Sequence, residues 1–332
     1  MPESFVVRPR RSPAGAVRRL PHVAGIGAIT AYLEDPRVTD LFVNGADGLF
    51  VDRGAGAEPD PSWRASEREV RELATALIAA GGRHVDEGTP CVDVRPEGGI
   101  RVHAVLPPVA RRGTALSLRI PSLGDASLGS LSHGGAFPDV VRAWLVRMVH
   151  ARENVLVTGA TGTGKTTLLG ALLSHAPERE RIVTIEDVAE LRIDHPHHVS
   201  LEARQANLEG AGGVGLARLV RESLRMRPDR IVVGECRGEE VRELLTALNT
   251  GHDGGAGTLH ASGLADVPAR IEALGALAGM DDHAVARQVA SAIAWVLHLE
   301  RGADGVRRLT AVGRFTVRAD GRLAIEEVRP WE

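Results

Sequence analysis

Lysine is almost absent from this chain: of forty Lys and Arg residues, one is lysine, Lys165. With every other cation an arginine, the single ammonium, a compact charge on a flexible stem, marks a place where a planar guanidinium would serve poorly. Aromatic side chains are scarce too, with four Trp, one Tyr and five Phe in 332 residues, so the cores must be built from Ala, Val, Leu and Ile. The two cysteines, Cys91 and Cys236, stand far apart and form no Cys-x-x-Cys pair. That spacing excludes a disulfide framework and a cysteine-based zinc site. No apolar run approaches ~18 residues and no signal-peptide core follows the start. The chain is therefore expected to be soluble and to reach a membrane only through a partner. A net charge of −3 argues against a surface built for polyanions, and nucleic acid is not the expected partner.

What is present around the lone lysine is specific. Gly159-Ala160-Thr161-Gly162-Thr163-Gly164-Lys165-Thr166 fits the pattern G-x-x-x-x-G-K-[ST] at every fixed position. Gly159, Gly162 and Gly164 let the backbone curl closely around an anion. Thr166 and Thr167 open a helix that runs to Leu173, and its unpaired first N–H groups point at the same anion. Before the loop, Asn154 to Thr158 is apolar and β-prone, as a buried parallel strand would be. Strand, glycine-rich loop and helix in that order bind a nucleoside triphosphate.

The pattern along the chain separates two domains. Residues 1–22 carry Arg8, Arg10, Arg11, Arg18 and Arg19 among Pro, Ser and Gly and read as a flexible, solvated basic tail. From 23 to 121, a short helix at 29–33 and strands at 40–43, 49–51, 91–94, 100–106 and 114–120 surround a helix at 66–80. Ser66 and Glu69 form a capping box at the start of that helix. These elements make a smaller α+β domain. Residues 122–138 are rich in Gly, Ser and Pro and read as a linker. From 139 to 332, helices at 139–150, 166–173, 215–226 and 239–249 alternate with strands at 154–158, 181–185, 230–233 and 256–259. This alternation implies a parallel sheet with helices on both faces and a ligand at the carboxyl ends of its strands. Helices at 264–279 and 283–296 and a hairpin of 309–317 with 323–328 follow.

Three polar clusters fall at those strand ends. Glu186, Asp187 and Glu190 follow one strand, where carboxylates can orient an attacking water and hold Mg²⁺ through its waters. The strand Arg230 to Val233 ends in Gly234-Glu235-Cys236-Arg237, an acid followed by a guanidinium. Gly251 to Ala261 carries His260 at the end of another strand. His195, His197 and His198 flank Pro196, but neighbouring histidines in a polar loop have poor ligand geometry, and no metal site is expected there.

Taken together, these stretches resemble the ATPases of the type II/type IV secretion superfamily, most closely the Tad/Flp pilus branch. The phosphate loop resembles that family's Walker A, Ile185 to Leu191 its Asp box, Ile231 to Glu235 its Walker B, and Gly251 to Ala261 its His box. Asp40 to Val51, Arg101 to Ala104 with Pro107-Pro108, and Leu118 to Pro121 extend the likeness, which spans roughly 30 to 300. The resemblance implies a RecA-like P-loop domain after an α+β N-terminal domain, ATP and Mg²⁺ as ligands, and a homo-hexameric cytosolic motor. Such a motor docks on an inner-membrane platform protein and drives pilus assembly or protein secretion. Conjugal DNA transfer or DNA uptake is the alternative within the class, and a non-catalytic, nucleotide-gated scaffold the alternative outside it.

The resemblance also implies roles. Residues Gly159, Ala160, Thr161, Gly162, Thr163, Gly164, Lys165, Thr166 and Thr167 hold the nucleotide, with Thr166 on Mg²⁺. Glu235 is the Walker B acid, reaching Mg²⁺ through water. Glu190 activates the attacking water with Glu186 in support, and His260 senses the γ-phosphate. Arg101, Arg119, Arg225 and Arg237 match clamp and finger arginines. One departure is that Walker B ends in Gly-Glu and lacks the Asp of many other P-loop enzymes, which leaves Mg²⁺ without a firm second carboxylate.

Overall fold

The computed structural model describes residues 23, 26–54, 56–96, 99–120, 126–204 and 212–332. The basic tail at 1–22 and the first linker residues, 122–125, lie outside these. The chain divides into two compact units, with the boundary between Gly124 and Asp125.

The first unit comprises α1 (Gly27–Glu34), β1 (Asp40–Asn44), β2 (Leu49–Asp52), β3 (Ala57–Asp60), α2 (Glu67–Ala80), β4 (Cys91–Val94), β5 (Arg101–Val105) and β6 (Ala115–Arg119). Its strands make one antiparallel sheet in the order β3-β2-β1-β6-β5-β4. Alternate residues, among them Leu41, Val43, Val102, Ala104, Leu116 and Leu118, are buried in one core with Ile29 and Leu33 of α1 and Leu73, Leu77 and Ile78 of α2. α2 begins on the capping box expected for it: Glu69 N donates to Ser66 Oγ at 3.4 Å, and Ser66 N donates to Glu69 Oε2 at 2.7 Å. β3 carries no apolar alternation to reveal it, and its Pro59 is tolerated because the strand lies at the sheet edge.

The second unit holds α3 (Leu128–His133), α4 (Asp139–His150), β7 (Val155–Gly159), α5 (Lys165–Leu173), β8 (Ile182–Glu186), β9 (His198–Glu202), α6 (Leu216–Ser223), β10 (Arg230–Val233), α7 (Glu240–Leu248), β11 (Ala256–His260), α8 (Val267–Leu277), α9 (Asp282–Ala292), β12 (Trp295–Arg301), β13 (Arg307–Val317) and β14 (Leu323–Glu327). Sheet order is β14-β13-β12-β7-β11-β10-β8-β9. The six strands from β12 to β9 run parallel, and β13 and β14 add antiparallel. Ile182, Val232, Val155 and Leu297 face a core shared with α3, α4 and α5. Val183, Ile231, Val233 and Leu156 face the other core, with α6 to α9. This is the RecA-like α/β architecture with helices on both faces, preceded by the smaller α+β unit.

Three differences from the sequence-based expectations have local causes. α3 forms inside the stretch read as linker, because Ser127 and Ser130 cap each other's backbone N–H at 3.0 Å and Leu128 is buried. The helix expected to run to 296 stops at Ala292, and Trp295 begins β12 beside β7; its alternation of apolar residues is too short to separate from the helix before it. β9 pairs with β8 at the sheet edge, carrying polar residues on a strand only half buried.

Beneath the amino ends of the strands, Arg230, 2% exposed, donates to Glu180 Oε2 at 2.5 Å and to the carbonyls of Gly254 and Val149 at 3.2 and 2.8 Å. A buried guanidinium requires this full set of partners.

Candidate active site

β7 is buried along its whole length and delivers the chain to the loop at Gly159. There φ is +147°, and a Cβ would meet Leu299 O and, at 2.6 Å, Thr163 Oγ1, so only glycine fits. Gly162 and Gly164 follow with φ of +78° and +93°. Thr163 Oγ1 donates to Ala160 O at 2.9 Å and closes the loop. α5 then starts at Lys165, turning its first N–H groups toward the loop's concave side.

Lys165 is only 7% exposed. Its Nζ donates to Gly159 O at 2.9 Å and Ala160 O at 2.8 Å, and lies 3.4 Å from His260 Nδ1. Burial pushes the ammonium below its ordinary range; the Glu235 charge opposes that shift and the Arg237 charge adds to it.

Three neighbouring strand ends bring the acids and the histidine to the same place. Glu235, just past β10, receives Arg237 Nε on Oε1 at 2.6 Å and Arg237 Nη2 on Oε2 at 2.7 Å. His260, the last residue of β11, places Nε2 at 3.1 Å from Glu235 Oε1. Burial works to raise the Glu235 pKa, but the Arg237 hydrogen bond and charge, with the charges of His260 and Lys165, hold it below the usual carboxylate value. Burial, then the Lys165 charge, depresses His260 despite Glu235, so the imidazole is neutral at neutral pH. A neutral ring that donates from Nε2 to Glu235 offers Nδ1 as an acceptor to Lys165 and to Thr161 Oγ1, 3.5 Å away.

Glu186 ends β8 and is 4% exposed. Its Oε1 accepts from the backbone N–H of Glu190 at 2.8 Å and Leu191 at 2.9 Å. It thereby fixes the loop that carries Glu190, whose own charge helps keep Arg237 protonated. Arg237 also reaches Asp187 Oδ2 at 3.9 Å.

The structure thus gathers Gly159 to Thr167, Glu186, Glu190, Glu235, Arg237 and His260 at the carboxyl ends of β7, β11, β10 and β8. Arg225 is not among them. It pairs with Glu222 at 3.3 Å in the turn of 3-10 helix before β10, at the opposite ends of the strands. Arg101 and Arg119 belong to the first unit, where they are cross-strand neighbours; Arg101 pairs with Asp93 at 2.9 Å and Arg119 with Asp40 at 3.7 Å. One polar pair beside the loop carried no motif: Thr158 Oγ1 and His298 Nδ1, 2.9 Å apart between β7 and β12. Its only signal in the sequence is a histidine interrupting an apolar run.

The loop suits a triphosphate, because Gly159, Gly162 and Gly164 take the positive φ that curls the backbone around an anion and the chain's one ammonium lies beside it. A divalent cation fits less directly. Thr166 stands in the first turn of α5, but both Glu235 oxygens are already engaged, so this carboxylate is suited to an ion's water shell rather than to the ion itself. Among the described residues no cluster of three His, Cys, Asp or Glu could hold a metal, and no helix is long and apolar enough to cross a membrane.

Comparison with known proteins finds relatives along most of the chain. The model of the family described as Type II/IV secretion system protein matches residues 23–327. A protein of Mycobacterium tuberculosis that bears the name of a conjugal transfer protein is 46% identical over 315 residues, 93% of this chain and 89% of its own. Two solved structures share the fold. One is the Legionella pneumophila ATPase DotB, with a TM-score of 0.59, 20% identity, and coverage of 95% of this chain and 82% of its own. The other is the pilus retraction motor PilT with bound ADP, with a TM-score of 0.59, 22% identity, and coverage of 91% and 82%. The chain belongs to the type II/IV secretion system protein family.

Proposed function

We propose that this chain binds Mg-ATP at the Gly159–Thr167 loop and hydrolyses it as the motor of a pilus-assembly or secretion machine. The observation that carries this reading is the convergence of Lys165, Glu235 and His260 within hydrogen-bonding reach at neighbouring strand ends. A scaffold that only binds nucleotide has no need of such groups.

Loop N–H groups and Lys165 bind the β- and γ-phosphates, Lys165 exchanging its bonds to the Gly159 and Ala160 carbonyls for phosphate oxygens. Thr166 and, through water, Glu235 would hold Mg²⁺, which would supply charge neutralisation at these oxygens. Glu190, positioned by Glu186, orients a water and takes its proton. The water oxygen bonds to the γ-phosphorus as the β–γ bridging bond breaks and ADP leaves. His260, neutral and tied to both Lys165 and Glu235, feels the loss of the γ-phosphate and passes it to β11. Arg237 anchors Glu235 within the chain. Arg101, Arg119 and Arg225 act as clamps or fingers from a neighbouring subunit, in a hexamer on the cytoplasmic side of the membrane, docked on a platform protein.

The leading machine is a Tad/Flp-type pilus, which the four ordered boxes support. Conjugal transfer is the second reading, favoured by the name and 46% identity of the mycobacterial relative. ATP turnover of the purified chain, measured against protein concentration and with and without DNA, tests both. Turnover that rises with assembly and ignores DNA supports the protein-moving motor. Salt-sensitive stimulation by DNA supports the second reading, and no turnover in an assembled ring overturns both.

A further inference from the structure

The residues gathered at the phosphate loop that have roles above all lie at β7 or on one side of it. His260, Glu235 and Glu186 end or follow β11, β10 and β8, which are successive neighbours of β7 in that direction. On the other side stand β12 and then β13, and the groups they bring to the phosphate loop have no assigned part.

The contact on that side is close. Leu299 of β12 pairs with Gly159, and its carbonyl lies where a Gly159 Cβ would be. β12 and β13 continue as a hairpin beyond this point, with Arg301 opposite Arg307 and Leu299 opposite Leu309. Leu299 and Leu309 belong to the core under α5. Arg307 lies two residues from Leu309 on the same face, which carries that face from the core to the mouth of the loop. There the Arg307 side chain passes over Gly164, its Cδ 3.2 Å from where a Cβ would stand. Gly164, at φ +93°, is the residue that opens α5 and leaves room for this approach. Arg308 points to the opposite face and is held by Asp304 at 2.5 Å.

We infer that Arg307 is a nucleotide-contacting residue, laying its guanidinium against the base and ribose of the nucleotide whose phosphates occupy the loop. This rests on the proposed binding of ATP there. A nucleotide whose γ-phosphate faces Glu235, His260 and Glu190 must run across the end of β7 with its nucleoside toward β12 and β13, because the γ-phosphate side is filled by β11 and β10. A guanidinium is planar and weakly hydrated, so it stacks on a purine face better than an ammonium does. Contact at that end acts equally before and after the γ-phosphate leaves, so it sets affinity and leaves the chemical step alone.

The test is direct binding of ADP and of inorganic pyrophosphate to the full chain, for wild type, Arg307→Ala, Arg307→Gln and Arg308→Ala. Both Arg307 variants should weaken ADP about five- to tenfold, the range of one such stacking contact, and leave pyrophosphate within about twofold. Arg308→Ala should change neither ligand, and thermal melting without nucleotide should match wild type in all three variants. Wild type that binds no ADP would remove the nucleotide reading itself. Wild type that binds ADP, with both Arg307 variants binding it equally well, would overturn only the role of Arg307. Equal weakening of pyrophosphate would also overturn it, by making Arg307 a phosphate ligand.

Discussion

His260 Nε2 and Glu235 Oε1 stand 3.1 Å apart, and the same imidazole presents Nδ1 to Lys165 Nζ at 3.4 Å. One neutral ring therefore links the acid after β10 to the ammonium of the phosphate loop. On the proposed reading, a change in phosphate occupancy that moves Lys165 would be felt at β11 and β10 without any element unfolding.

His260→Ala should lower ATP turnover by about 100-fold while ADP affinity stays within a few-fold, because the ring acts on the γ-phosphate side and the loop is otherwise intact. Steady-state turnover with parallel ADP binding checks this. Loss of ADP binding on the same scale as turnover would instead make His260 a structural prop of the loop.

Gly234→Ala is expected to damage turnover although it replaces no charged residue. A Cβ there would lie 2.5 Å from Glu186 Cγ and 2.9 Å from Glu186 Oε1, displacing the oxygen that holds the Glu190 and Leu191 N–H groups. Turnover should fall at least about tenfold, with ADP affinity nearly unchanged, because water positioning is lost and the phosphate loop is not. Unchanged turnover would show that Glu190 does not need this anchor.

Acid should destabilise the fold through buried neutral imidazoles. His298 is 1% exposed, and burial depresses its pKa; the Glu300 and Asp266 charges favour its protonation and the Lys165 charge opposes it. The unfolded chain therefore binds a proton at about pH 6.5 that the folded chain refuses until the pH is lower. Stability from this group is fully present above about pH 6.5 and is lost as pH falls toward the folded pKa. His175, His198 and His260 are depressed in the same sense. Melting temperature should drop between about pH 7.5 and about pH 5.5, and His298→Gln should shallow that slope without abolishing it. An identical slope in the variant would remove His298 from the pH response.

Most of the second unit was legible because its signals are local. Gly159 to Thr166 is a contiguous pattern, and β7, β8, β10 and β11 are apolar runs bounded by turns. In the first unit, Ser66 and Glu69 declared the start of α2 three residues apart. What escaped depended on partners distant in sequence. β12 is a strand because Trp295 to Leu299 pair with Val155 to Gly159, some 140 residues earlier, and no local period separates it from α9. β3 exists as an edge on β2 with almost no apolar content of its own. Arg237, matched to the clamp and finger arginines, is held by Glu235 two residues away, a pairing that depends on how the turn after β10 folds back. Arg307 had no motif at all, and its approach to Gly164 follows from the register of β12 on β7 and of β13 on β12.

The most direct test of the central claim compares ATP hydrolysis and ADP binding in wild type, Lys165→Ala and Glu235→Gln. Wild type should turn over ATP, Lys165→Ala should lose binding and turnover together, and Glu235→Gln should keep ADP affinity while losing about 100-fold or more in turnover. Turnover in Glu235→Gln equal to wild type, or a wild type that binds ADP and hydrolyses no ATP when assembled, would contradict the account.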